Sequence, residues 1–140
     1  MSTKAVLLPL LVQVALTFGL GFWMAVLRVR AIQSRRVHPR DVALREPGWP
    51  KRILQVQYAF HNQLELPILF YLVTVLALFT RTADQPFVIL AWIYVALRLV
   101  HAVIHVTENN MRRRGLVFIT GSVVLCVMWV VFAIRLLSGA

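Results

Sequence analysis

Residues 53–80 read ILQVQYAFHNQLELPILFYLVTVLALFT, a stretch bounded by Arg52 and Arg81. A helix over this stretch is long enough to cross a hydrocarbon core of ~30 Å at ~1.5 Å per residue. Yet its first half carries His61, Asn62 and Glu65. An ionisable side chain inside a transmembrane helix costs roughly 2.5–3.5 kcal/mol on insertion scales, so such groups face a partner, a cavity or a ligand. The stretch therefore poses both questions at once: how the chain spans a membrane, and what its polar residues do there.

Working outward, three more apolar runs appear. Ala5 to Leu27 is free of charge between Lys4 and Arg28; a third run starts near Pro86 and reaches about Val106; a fourth runs from Leu116 to Ile134. A cleaved secretory signal would have a shorter core and a small-residue cleavage site. Arg28 and Arg30 follow instead, which marks a retained first helix. The expectation is an all-α, four-transmembrane-helix bundle forming a single domain over 1–140. Its helices are placed at about 5–27, 54–79, 86–106 and 116–137, with a long basic loop at 28–53. In that loop Pro39, Pro47, Gly48 and Pro50 argue against one continuous helix.

Composition agrees. Sixty per cent of the residues are apolar and 14% are charged, against roughly 45–50% and about 25% in soluble domains. Disorder is excluded, because so apolar a chain does not stay solvated. The formal net charge of +10 would suggest nucleic acid in a soluble protein. Here the Lys and Arg cluster in the first and third connectors, the pattern of cytoplasmic membrane loops, so no nucleic-acid partner is expected. Both termini are then expected on the non-cytoplasmic side of a multi-pass membrane protein. The single cysteine, Cys126, reads as a small hydrophobe.

Two polar faces stand out. At 100° per residue Gln55, Tyr58, His61, Asn62 and Glu65 share one face of the second helix, and Tyr94, Arg98, His101 and His105 share one face of the third. Glu65 and Arg98 lie at similar depths, roughly 14–18 Å from the basic side, so they are expected to form a desolvated pair. Both faces open towards Arg28, Arg30 and Arg112 to Arg114, a funnel of positive charge suited to a small anion with several hydrogen-bonding groups. The plainer alternative is a structural seam that fixes helix pairing. His61, His101 and His105 do not make a zinc or haem pattern, and no metal is expected.

In these residues the chain resembles the MAPEG superfamily, the membrane-associated proteins of eicosanoid and glutathione metabolism. The likeness rests on three segments: His61-Asn62-Gln63-Leu64-Glu65-Leu66-Pro67, similar to the family's Asn-x-x-Glu followed by proline; Arg98-Leu99-Val100-His101 with His105, similar to Arg-x-x-His-x-x-x-Tyr; and Arg114, nine residues beyond His105. The resemblance implies a homotrimer that holds glutathione between subunits near the cytoplasmic side. It assigns Arg28 or Arg30, Asn62 and Glu65 to binding the peptide and Arg114 to stabilising the thiolate. His61, Arg98 and His101 on the same polar faces are further binding candidates, and His105, at the family's tyrosine position, is a candidate hydrogen-bond donor for the chemistry. A guanidinium beside a thiol lowers its pKa and raises the nucleophilic fraction. The implied activity is a glutathione- or related-thiol-dependent transferase or peroxidase acting on lipophilic electrophiles from the bilayer. The alternative is a non-catalytic lipid-binding or scaffold protein of the same family; a small transporter or cofactor carrier is a third. The chain departs from the family pattern at Tyr58 and His61, where the enzymes carry an arginine. It also departs at His105, Gly115 and Phe118, and in a proline that follows Glu65 by two residues.

Overall fold

A computed structural model describes residues 1–44 and 48–139. Arg45, Glu46 and Pro47 of the first connector, and Ala140, lie outside the described residues. Among the described residues five α-helices make four spans: α1 Thr3–Gln33, α2 Lys51–Asn62, α3 Pro67–Phe79, α4 Gln85–Val106 and α5 Met111–Leu137, with a 3-10 turn at Pro39–Val42 in the first connector. Each of α1, the α2–α3 pair, α4 and α5 is long and apolar enough to cross a membrane. Together they make a four-helix membrane bundle, and an even number of spans puts both termini at one end.

The helices begin where the side chains supply caps. Ser2, Asp84 and Asn110 accept hydrogen bonds from first-turn amides of α1, α4 and α5, replacing partners that a helix N-terminus lacks. The α1 helix continues past the expected end at 27, carrying Arg28 and Arg30 on its last turns. The α5 helix starts at Met111, so Arg112, Arg113 and Arg114 occupy its first turn rather than a preceding loop.

The second span departs most from expectation. Instead of one helix over 54–79, it breaks at 63–66. Pro67 has no N–H to donate and disfavours helical geometry before it. The amides of Gln63, Leu64 and Glu65 turn to i−3 carbonyls (3.0, 3.0 and 3.4 Å), a tightened turn before α3 starts with Pro67 at its first position. The 100° rule therefore does not carry across the break, with direct consequences for Glu65.

The α4 helix is the central one. Phe87, Val88, Ala91, Tyr94, Val95, Arg98, His101, Ala102, His105 and Val106 are all buried, one wide stripe of three- and four-residue spacing, while Ile89, Ile93, Val100 and Val103 behind it are exposed. Two apolar clusters flank its polar middle. One gathers Phe70, Val73, Phe87, Tyr94, Val95, Leu125, Met128 and Phe132 near the turn joining α3 to α4. The other gathers Leu20, Val56, Ala59, Ala102 and Val106, with Phe60 packed against it. The first connector has a small core of its own, Ala31, Val37, Trp49 and Ile53. Many apolar side chains, among them Phe18, Phe22, Phe79 and Ile119, are exposed, as suits a surface solvated by lipid tails.

Candidate functional site

On α4 the expected face exists: Tyr94, Arg98, His101 and His105 are 1, 3, 3 and 7% exposed. On the second span it does not. Tyr58 is 47% exposed and Glu65 is exposed as well, whereas Gln57 and Gln63 are buried. The reason is packing. The α2 helix buries Ile53, Val56, Gln57 and Ala59, which turns the Gln55–Tyr58 edge outward, and the break at 63–66 swings Glu65 off the line of Asn62.

The expected Glu65–Arg98 pair is therefore absent: the ion pairs among the described residues are Arg113–Glu108 and Arg135–Asp84. Arg98 is held by amides instead. Its Nη2 donates to Asn62 Oδ1, to Gln63 Oε1 at 3.1 Å and to the Asn62 carbonyl at 3.3 Å. Gln63 is fixed in turn, accepting from Gln13 Nε2 of α1 at 2.9 Å and donating to the Ala59 carbonyl at 3.0 Å. Gln13 and Gln63 are fully buried.

Above Arg98 lies a cavity of about 290 Å³ lined by Asn62, His101, His105, Met111, Arg114, Gly115 and Phe118. His101 and His105 stand edge to face with ring centroids 5.8 Å apart, and His101 lies 5.8 Å from the Phe118 ring. The Nδ1 atoms of both histidines are buried without a hydrogen-bond partner. Arg114 is half-buried and tethered by Asn109 Oδ1, which accepts from its Nη1 at 2.5 Å; Arg112 and Arg113 are exposed. A Cβ on Gly115 would meet nothing within 4 Å, so this glycine leaves the cavity wall open.

A second cavity, about 300 Å³, lies under the first connector and is lined by Arg28, Val42, Ala43, Trp49, Gln57 and His61. The Arg28 guanidinium sits 5.1 Å above the Trp49 ring and its Nη2 donates to Gln57 Oε1. Within one chain, then, the proposed residues divide into two groups. Asn62, His101, His105 and Arg114 share one cavity over Arg98, and Arg28 and His61 share the other. Arg30 is exposed beside Val26, Val29 and Gln33, and Glu65 lines neither cavity.

Sequence reasoning missed Gln13, Gln57, Gln63 and Trp49. Gln13 carried a readable signal, a lone amide inside the charge-free run of the first helix, where an unsatisfied amide is expensive. Trp49 carried none that its loop setting would reveal.

A sequence model of the MAPEG family matches residues 6–134, nearly the whole chain. The chain belongs to the MAPEG family. It is accordingly a membrane protein of the glutathione and eicosanoid metabolism family. No curated protein and no solved structure matches it. Within the MAPEG span fall both cavities and all the residues that join Gln13 to Arg114.

Proposed function

We propose that this MAPEG protein is a membrane-embedded transferase or peroxidase that uses glutathione or a related thiol against lipophilic electrophiles. The observation that carries the reading is the convergence of Asn62, His101, His105 and Arg114 on one cavity over the buried Arg98. One guanidinium, an amide and two imidazoles in a site walled by Phe118 and Met111 suit an anionic, hydrogen-bonding ligand next to an apolar one. A thiol entering there releases its proton to water in the open cavity, and Arg114 stabilises the thiolate left behind. The thiolate sulfur then bonds to an electrophilic carbon of a substrate drawn from the bilayer as that carbon's leaving group departs with its electron pair. With a peroxide it bonds to one oxygen as the O–O bond breaks and the departing alkoxide takes up a proton from water.

Each cavity is at the lower end of the range for small-molecule sites, ~300–1,000 Å³. The reading therefore takes a homotrimer in which the Arg28 cavity of one copy meets the Arg114 cavity of the next. Arg28 and His61 would then bind a glutathione carboxylate while Asn62 and Arg114 hold the rest. The outward-facing Glu65 would reach the ligand or the neighbouring copy. The basic ends, with Arg35, Arg36, Arg40, Arg112 and Arg113, lie at the cytoplasmic face on this reading, with both termini opposite.

Calorimetry of purified trimer with glutathione tests it. Saturable binding that Arg114→Ala weakens supports the reading. No binding of glutathione or of a related thiol leaves the non-catalytic lipid-binding or scaffold protein in its place.

A further inference from the structure

The buried amides around Arg98 have one feature that makes their orientation readable. A guanidinium donates hydrogen bonds and accepts none. Whatever Arg98 Nη2 touches must therefore be an oxygen, so the Asn62 carboxamide faces Arg98 with Oδ1 and Gln63 does so with Oε1. For Gln63 the other end agrees, because its Nε2 donates to the Ala59 carbonyl, which is only an acceptor. Gln13 completes the chain by donating Nε2 to Gln63 Oε1. Gln13 and the Ala59 carbonyl thus orient Gln63, Gln63 and Asn62 both accept from Arg98, and the network runs from α1 through the break to the cavity wall.

Asn62 is the outermost member and lines the 290 Å³ cavity. With its oxygen committed to Arg98, what remains for the cavity is its NH₂. We propose that Gln63, supported by Gln13, is a positioning residue. It holds Arg98 so that Asn62 offers two N–H donors and no acceptor to whatever fills the cavity. With Arg114 also a pure donor, the Asn62–Arg114 side of the site selects an acceptor group, a carboxylate or carbonyl oxygen or a thiolate sulfur, and disfavours an ammonium at Asn62. The helix break serves this arrangement. It places Gln63 inward on a turn where a continued helix ahead of Pro67 is disfavoured.

The inference rests on the glutathione reading only for the identity of the ligand, so its test has a ligand-free arm. The chain contains three asparagines, Asn62, Asn109 and Asn110, and selective ¹⁵N-asparagine labelling of the protein in micelles gives three side-chain NH₂ pairs. Asn62→Asp identifies one of them. Gln63→Leu is expected to shift or broaden the Asn62 pair and leave the Asn109 and Asn110 pairs in place. Gln63→Glu, which keeps the acceptor towards Arg98, is expected to restore the Asn62 pair. An Asn62 pair unmoved in Gln63→Leu, with only the melting temperature lowered, would mean that Gln63 merely packs. Should Gln63→Leu fail to fold, Gln13→Leu takes its place: a displacement of the Asn62 pair supports the proposal, and none overturns it. In the second arm glutathione is titrated into the same samples. The expected result is a shift of the Asn62 pair in the unaltered protein, and affinity at least ~10-fold weaker in Gln63→Leu, the scale of one charge-assisted hydrogen bond. Recovery in Gln63→Glu should follow. If glutathione leaves the Asn62 pair of the unaltered protein untouched, the glutathione reading falls, and the positioning role is still decided by the ligand-free spectra.

Discussion

Replacing Arg98 with methionine, a side chain of similar reach, separates an amide-held arginine from an ion pair. The substitution removes one donor group from three acceptors. The contact to the Asn62 carbonyl is long at 3.3 Å, and Asn62 borders a cavity where water can take over. Gln63 Oε1 is the fully buried acceptor, and it retains the Gln13 donor at 2.9 Å. One strong hydrogen bond to a charged group is therefore lost with little left stranded, about 1–3 kcal/mol. Stripping one partner from a buried ion pair would instead cost 3–5 kcal/mol. Glu65 is exposed and lies off this network, so Glu65→Gln should stay within about 0.5 kcal/mol. Equilibrium unfolding in mixed micelles, run on both single variants and the double, measures these quantities. If Glu65→Gln costs as much as Arg98→Met, and the double variant no more than either, the two charges are coupled and the reasoning fails.

Turnover with a thiol and a lipophilic electrophile should fall about 100-fold in Arg114→Ala, the scale of losing one group that stabilises developing charge. Arg112→Ala, altering an exposed arginine two residues earlier on the same helix, should leave the rate within a factor of about two on the same surface-substitution scale. Ala for Gly is worth up to ~1 kcal/mol in a helix, and Gly19→Ala should gain some of it because nothing lies within 4 Å of the added Cβ. Gly21→Ala should instead destabilise, since its Cβ would stand 2.8 Å from the Phe60 ring; thermal unfolding of the pair, with Phe60→Leu as the relieving change, checks this. Asp84 gives an acid limb. Burial pushes its carboxyl up, but the hydrogen bond from Arg135 and the Phe87 amide outweigh this and hold it below the usual carboxylate range. Its contribution is then complete above the unfolded value of about 3.9 and is lost as the pH falls through the folded one. Melting temperatures across acid pH should show that loss, and Asp84→Asn should flatten it.

The number and order of spans were legible because apolar length and flanking charge are properties of the chain alone. The α4 face was legible too, since an unbroken helix keeps its 100° register and Tyr94, Arg98, His101 and His105 stay aligned. The second span was misread where that condition lapsed: Pro67 stops the register, and the face of α2 that is buried is chosen by Val56, Ala59 and Phe60 against α1 and α4. Charge was misleading as well. Glu65 and Arg98 match by sign and depth, yet Arg98 Nη2 is held by neutral amides whose role depends on which helices meet. Trp49 illustrates the remaining limit, because a tryptophan in a proline-rich connector packs on Arg28 only once the connector has folded back.

The break in the second span also bears on how the bundle is completed. Of the four spans, Lys51–Phe79 is the least apolar. Its α3 half has 13 residues, about 20 Å of helix, short of a ~30 Å core. The α2 half brings Gln57, His61, Asn62 and Gln63 with it. Alone in lipid, this segment would carry amides whose partners lie on other helices. Its neighbours supply the remedy, Gln13 from the helix synthesised before it and Arg98 from the one synthesised after. The polar partners of the second span are thus complete only in the assembled bundle, between the helices that precede and follow it.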